Sequence, residues 1–395
     1  MARVLVTDGT ERSALAVVRS LGRAGHSVAV ATARPKSLAG ASRWCAAEVE
    51  TPDALRAPRE FVAALAAAAA VRGIEVVVPV TDAAILAVLA HRDVLAGIRV
   101  PLGGAEAFGR LSDKAAAAAA AETVGIRVPR QVRLDGRDAA SGLASLTMPV
   151  VLKPARSVSG AEGARAKHSV GHAATAADLA RMLRALPPTA FPLLAQERVV
   201  GPGIGVFLLT WKGELLAAFA HRRLREKPPA GGVSTYAESV PLDDDLLARS
   251  RALVDAFGWD GVAMVEFKRD GASGAPVLME INGRFWGSLQ LAIDAGVDFP
   301  RLLVDAALGR AVTPVTSWRT GVRSRWFWGD MDHGLARLRR SAAALHLPPG
   351  APGRMATLTA LVGTTLGFPK DQVFQLGDLG PGIRETAQRL GLGPA

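Results

Sequence analysis

The sequence predicts an α/β domain built on a parallel sheet, then a larger α+β region, then a short helical extension. Three observations carry this expectation. In the first 110 residues, short apolar runs alternate with helix-period segments, the pattern of βαβ units with helices on both sheet faces. Beyond Ser112, strand-like runs come in pairs joined by turn signals. The length, 395 residues, exceeds one ordinary core. The expected division is 1–110, then 111–310 as two subdomains meeting near 195–196, then 311–395.

The elements follow in order. Residues 4–6 form a strand, and Asp8-Gly9-Thr10 a loop. Leu15, Val18, Leu21 and Gly22 recur at helical spacing, and Gly25 is a stop signal. Strands are expected at 28–31 and 75–79, and helices at 61–71 and 83–90. The alanine-rich stretch 113–124 reads as a strong helix with Ser112 as N-cap. Residues 150–153 and 193–197 read as strands. Residues 206–211 and 214–223 flank Lys212-Gly213, a hairpin signal, and 261–268 and 276–281 flank a polar turn. Helices are expected at 246–257, 289–295, 335–345 and 383–390.

Composition narrows the function classes. There is one cysteine, Cys45, so an intrachain disulfide is excluded and a cysteine zinc site is disfavoured. No apolar run reaches the roughly 18 residues of a membrane span, and the start of the chain reads as a strand rather than a signal peptide. A cytoplasmic protein that does not engage a membrane is expected. The net charge is +11, but the basic residues are scattered. That favours anionic nucleotides over nucleic acid as partners. The loop after the first strand has one glycine and an aspartate, a poor match to the G-x-G-x-x-G fingerprint that lets backbone approach a pyrophosphate. Asp8 and Asp82 remain candidates on the substrate side of a cleft.

Four segments carry the chemistry. They are Ser112-Asp113-Lys114; Val151-Leu152-Lys153-Pro154; Ala195-Gln196-Glu197-Arg198-Val199-Val200-Gly201; and Met264-Val265-Glu266-Phe267 with Met279-Glu280-Ile281-Asn282-Gly283-Arg284. Glu280 and Asn282 lie two apart on one strand and so share a face. Glu266, on the expected hairpin partner, can join them. Two carboxylates and an amide oxygen suit Mg2+, which takes hard oxygen ligands together with substrate phosphates. Arg284 follows where the strand ends, placed to hold a phosphate or acyl-phosphate oxygen. Lys114 and Lys153 suit the phosphates and purine edge of a nucleotide. Ser157, Ser159, Gly160 and Gly163 make a flexible, donor-rich loop of the kind that covers phosphates.

In that order and spacing, these motifs resemble the ATP-grasp superfamily over residues 112–310, and the preceding segment resembles its Rossmann-like N-terminal domain. The stretch from His221 to Ser234 is similar to carboligase-like members of the carbamoyl-phosphate synthase and biotin carboxylase type. The resemblance implies ATP as nucleotide and Mg2+ as metal, with Mn2+ as a substitute. It implies that Lys114, Lys153, Ser157, Ser159, Gly160, Gln196, Glu197 and Val199 bind nucleotide. It assigns metal binding to Glu266, Glu280 and Asn282, and catalysis to Arg284 with Arg222 or Arg223. It also admits a homodimer. One departure concerns the acid that family members carry after the hinge glycine to bind ribose. Here Pro202-Gly203-Ile204 follows Gly201, so that contact is absent or supplied elsewhere.

The expected activity is an ATP- and Mg-dependent ligase that activates a small-molecule carboxylate as an acyl phosphate for an amine or other nucleophile. The rivals are a bicarbonate-using carboxylase and a non-catalytic ATP-binding regulatory protein. His168, His172 and His221 have no metal-ligand spacing and read as structural or solvated. Trp326, Phe327 and Trp328 are either core aromatics, the favoured explanation, or a cover over substrate. Trp286, Ser288 and Gln290 are candidates for the acceptor pocket.

Overall fold

The computed structural model describes residues 1–136, 142–156, 158–159, 166–167, 170–367 and 369–392. The chain opens with β1 (Arg3–Val6), α1 (Arg12–Arg23), β2 (Ser27–Thr32), β3 (Cys45–Glu50), α2 (Pro58–Arg72), β4 (Val76–Val78) and α3 (Asp82–Ala90). The four strands form a parallel sheet in the order β3-β2-β1-β4. Val4, Leu5 and Val6 are fully buried because α1 covers one face and α2 and α3 the other. β3 was not legible in the sequence: Cys45–Glu50 alternates only weakly, since it is a half-buried edge strand.

Next come α4 (Ala105–Leu111) and α5 (Lys114–Thr123). The N-cap of α5 is Asp113, not Ser112: the Asp113 carboxylate accepts from the amides of Ala115 (3.0 Å) and Ala116 (3.2 Å). Ser112 instead ends α4. Lys114, Ala117, Ala118 and Ala121 face inward, and the small alanine side chains let α5 lie close to the later sheet.

A second sheet, in the order β5-β10-β6-β9, is wholly antiparallel. It comprises β5 (Gln131–Leu134), β6 (Val150–Pro154), β9 (Gly171–Ala173) and β10 (Leu193–Glu197). Between its strands lie the short pair β7 (Val158–Ser159) and β8 (Ala166–Lys167), and α6 (Ala176–Ala185). This lobe has its own small core around Leu152, Leu179, Leu183 and Leu193.

The third sheet has seven strands, ordered β15-β14-β11-β12-β13-β16-β17. It contains β11 (Gly203–Trp211), β12 (Glu214–Lys227), β13 (Val233–Ser239), β14 (Gly261–Arg269) and β15 (Pro276–Asn282), with α7 (Asp244–Asp255) in between. Lys212 and Gly213 both have positive φ (52° and 80°), the geometry of a tight hairpin turn that fits strand twist. After α8 (Leu289–Ala295) and α9 (Phe299–Ala307) come β16 (Arg323–Arg325), α10 (Phe327–Arg339), α11 (Arg354–Leu366), β17 (Lys370–Asp371) and α12 (Gly380–Arg389). The helix expected at 335–345 thus starts earlier and ends at Arg339, where Arg340 turns to extended backbone.

The C-terminal strand segment is clasped by α1. Arg19, fully buried, donates to the Asp378 carboxylate (2.8 Å) and to the carbonyls of Gln372, Val373 and Asp378. Asp378 also accepts from the Ser42 hydroxyl and the Arg43 amide. Among the described residues, no helix is long and apolar enough to cross a membrane.

Candidate functional site

A cleft of about 330 Å³ lies between the second and third sheets. Strand alternation lines its floor. On β14, Met264, Glu266 and Lys268 lie two apart and face it together. On β15 the register skips: Glu266 pairs with Glu280, but Phe267 pairs with Leu278. Met279 is the extra residue of a bulge, so Met279 and Glu280 both reach the cleft, with Asn282 beyond. From β12 come Arg223 and Glu226. The roof is Val151 and Lys153 of β6 with Gln196 of β10, and the back is the connection Glu197-Arg198-Val199.

Charges on the floor are paired. The Lys114 ammonium stands 3.1 Å from Glu280, and the Asn282 amide donates to Glu280 at 3.0 Å. Burial alone would raise the Glu280 pKa; Lys114, the Asn282 bond and Lys153 outweigh it and hold the carboxyl well below its usual range. Arg223 forks onto Glu266 at 2.8 and 2.7 Å and also meets Glu226 at 3.0 Å. Burial opposes its charge, but the two carboxylates prevail and raise its pKa. Lys153 and Lys268 have theirs lowered, first by burial, with partial relief from nearby glutamates. Arg284 donates to Asp82 at 2.8 Å, to the Phe285 carbonyl, and to Asn282 at 3.1 Å.

The cleft gathers Lys153, Gln196, Glu197, Val199, Arg223, Glu266, Glu280, Asn282 and Arg284 of the expected set, and Lys114 meets it through Glu280. Arg222 is not among them. The next residue along β12, it faces the other way, half-exposed and paired with Glu238 at 2.6 Å. Ser157, Gly160, Gly163 and His168 lie outside the described residues, as does the Ser159 side chain. Of the acceptor candidates, Trp286 and Ser288 line the cleft while Gln290 turns away to donate to Asp294. The 326–328 aromatics are packing residues: the indoles of Trp326 and Trp328 donate to Glu385 and Thr386, and Phe327 meets Phe374 edge-on. Asp8 accepts from the Thr81 amide and hydroxyl, tying the ends of β1 and β4 together rather than facing the cleft. His221 is buried among Phe207 and Phe219.

Sequence reasoning missed Lys268, Glu226 and Arg12, and placed Met264 and Met279 in the key segment without giving them a role. Two-residue alternation from Glu266 would have found Lys268 and set Met264 on the same face. Nothing local would have found the bulge at Met279, or Arg12, which arrives from α1.

The donor set fits a hard divalent cation. Glu266, Glu280 and Asn282 offer oxygens from paired strands, and among the described residues no cluster of three or more His, Cys, Asp or Glu forms a complete protein cage. Mg2+ is characteristically held by one or two carboxylates, with phosphates and water completing its shell. The lysines and Arg223 that now neutralise these carboxylates can themselves be shared with a polyanion.

Residues 189–329 match the family model described as ATP-grasp in the biosynthetic pathway with Ter operon. No curated protein matches. Among solved structures, an N5-carboxyaminoimidazole ribonucleotide synthetase in its ADP complex is 15% identical, with 85% of each chain covered and a TM-score of 0.65. The L-amino acid ligase from Bacillus licheniformis is 15% identical over 79% of this chain and 75% of that one, with a TM-score of 0.60. A biotin carboxylase–β,γ-ATP complex from Campylobacter jejuni is 17% identical over 81% and 74%, with a TM-score of 0.61. These likenesses give the chain the fold of ATP-grasp enzymes, and the family-model match covers residues 189–329.

Proposed function

We propose that the chain is an ATP- and Mg2+-dependent ligase that activates a small-molecule carboxylate as an acyl phosphate for attack by an amine or another nucleophile. One observation carries this reading: a carboxylate–amide floor on β14 and β15 faces lysines across a cleft that ends in Arg284. Met279, Met264 and Val151 supply apolar walls for a purine, and the connection 197–199 supplies backbone polar groups for its edge. Lys153 and Lys114 meet the phosphates. Glu266, Glu280 and Asn282 would hold Mg2+, which supplies charge neutralisation at the phosphoryl oxygens when bound.

A substrate carboxylate oxygen then bonds to the γ-phosphorus as the bond to the β,γ-bridging oxygen breaks, releasing ADP. Arg284 and Arg223 offset charge on the transferred group; positioning and electrostatics dominate such transfers. The nucleophile attacks the acyl carbon, phosphate departs with the C–O electron pair, and the surplus amine proton passes to phosphate or solvent. No side-chain nucleophile is needed.

The test is the thermal midpoint with Mg·ATP, followed by ADP release in a matrix of acids and amines. Saturation at about 100 times Kd adds roughly 2.7 kcal/mol of stability. That gain is expected in the wild type and lost in Glu280→Ala. No gain at any ATP concentration would sink the reading.

A further inference from the structure

The far end of the cleft, beyond Arg284, is walled by Trp286, Gly287 and Ser288, by Val233 and Ser234 of β13, and by Arg12 at the start of α1. The cleft's four guanidinium groups are not equivalent; Arg198, at the back, donates to the His346 carbonyl. Arg284 has Asp82, and Arg223 has Glu266 and Glu226. Arg12 is paired with no carboxylate among the described residues. One of its nitrogens donates to the side-chain amide of Gln372, and its guanidinium plane lies 4.0 Å from the Trp326 ring centre. Glu385, Glu11 and Asp371 favour its charge from a distance, while burial opposes it; Glu385 accepts from the Trp326 indole instead.

Gly287 is where the chain makes room for this arginine: a Cβ there would stand 2.8 Å from an Arg12 nitrogen. Two more donors at this end lack acceptors. The Trp286 indole N–H, in a residue only 2% exposed, and the Ser234 hydroxyl, in one 7% exposed, have no partner among the described residues. A cleft end with unmet donors, and a guanidinium that no carboxylate contacts directly, is complementary to an anion.

We propose that Arg12 anchors a second anionic group of the acid substrate, so that the carboxylate activated near Arg284 belongs to a dicarboxylate-type molecule. Gln372 and Trp326, from the C-terminal segment, are positioning residues that hold the guanidinium flat at the cleft wall. This inference rests on the ligase reading for the role of the first carboxylate, while the Arg12 subsite itself is testable without ATP.

The experiment measures thermal midpoints of the full chain with glutarate and with butyrate at matched ionic strength, with and without Mg2+ and a non-hydrolysable ATP analogue. Wild type, Arg12→Met and Arg12→Lys are compared. Glutarate is expected to stabilise the wild type more than butyrate. That preference is expected to vanish in Arg12→Met and be partly kept in Arg12→Lys, while the nucleotide shift is equal in all three. Equal effects of the two acids on wild type, or an undiminished glutarate preference in Arg12→Met, overturn the proposal. A glutarate preference that depends on Arg12 with no nucleotide shift would support the anion subsite and reject the ligase reading alone. Should Arg12→Met lose its nucleotide shift through misfolding, Arg12→Lys decides: full glutarate preference with normal nucleotide binding supports a cationic anchor, and none overturns it.

Discussion

Glu280 touches Lys114, accepts from Asn282 and lies in the field of Lys153, so its charge is shared by three neighbours. Its folded pKa lies below the ordinary carboxyl value. Its contribution to stability is therefore fully present above the unfolded pKa and lost as pH falls through the folded one. Glu280→Gln should flatten the acid limb of a midpoint-against-pH curve. It should also cost about 2 kcal/mol at neutral pH, between the worth of an exposed pair and the penalty for orphaning a buried charge. The lysines carry the opposite sign. Burial holds Lys153 and Lys268 below the ordinary ammonium value, and a bound triphosphate would raise it again by favouring the charged form. As pH rises through the depressed pKa, nucleotide binding should begin to take up protons and affinity should fall. Calorimetry in buffers of different ionisation enthalpy reads that uptake, and in Lys153→Met it should shrink.

At the scale of elements, the start of α5 sets where Lys114 points. Asp113 caps two amides and meets Arg156 at 3.4 Å. Asp113→Ala should cost about 1 kcal/mol in stability. It should also weaken nucleotide binding, because the first turn that carries Lys114 frays; a midpoint series with and without Mg·ATP separates the two effects. Elements were legible where one local signal dominated. The apolar runs at 150–154 and 193–197 named their own strands, and Lys212-Gly213 named its turn. Ser112 was mistaken for the cap because Ser and Asp stand side by side and either can cap; only the hydrogen bonds decide. The bulge at Met279 and the strand β16 were not legible, because each is defined by its partner across the sheet rather than by its own residues.

At the scale of the molecule, the site draws on parts of the chain that no local pattern relates. Glu280, Asn282 and Arg284 announced themselves by spacing. Asp82 meets Arg284 from 202 residues away, and Gln372 meets Arg12 from 360. The seven-stranded sheet and the parallel sheet share continuous cores, whereas the smaller lobe keeps a core of its own. The roof of the cleft is therefore packed separately from its floor. The clasp on Arg19 bears on how the polypeptide behaves once it is cut. A protease that nicks the exposed proline- and glycine-rich turn at 348–353 would break the chain without separating its pieces, since the C-terminal fragment stays bound through Arg19, Ser42 and Arg43. The two fragments should co-elute on native gel filtration and part only in denaturant. Arg19→Met should lower the denaturant concentration at which they part, the pairing of β16 with β17 and the Trp326–Glu385 bond remaining.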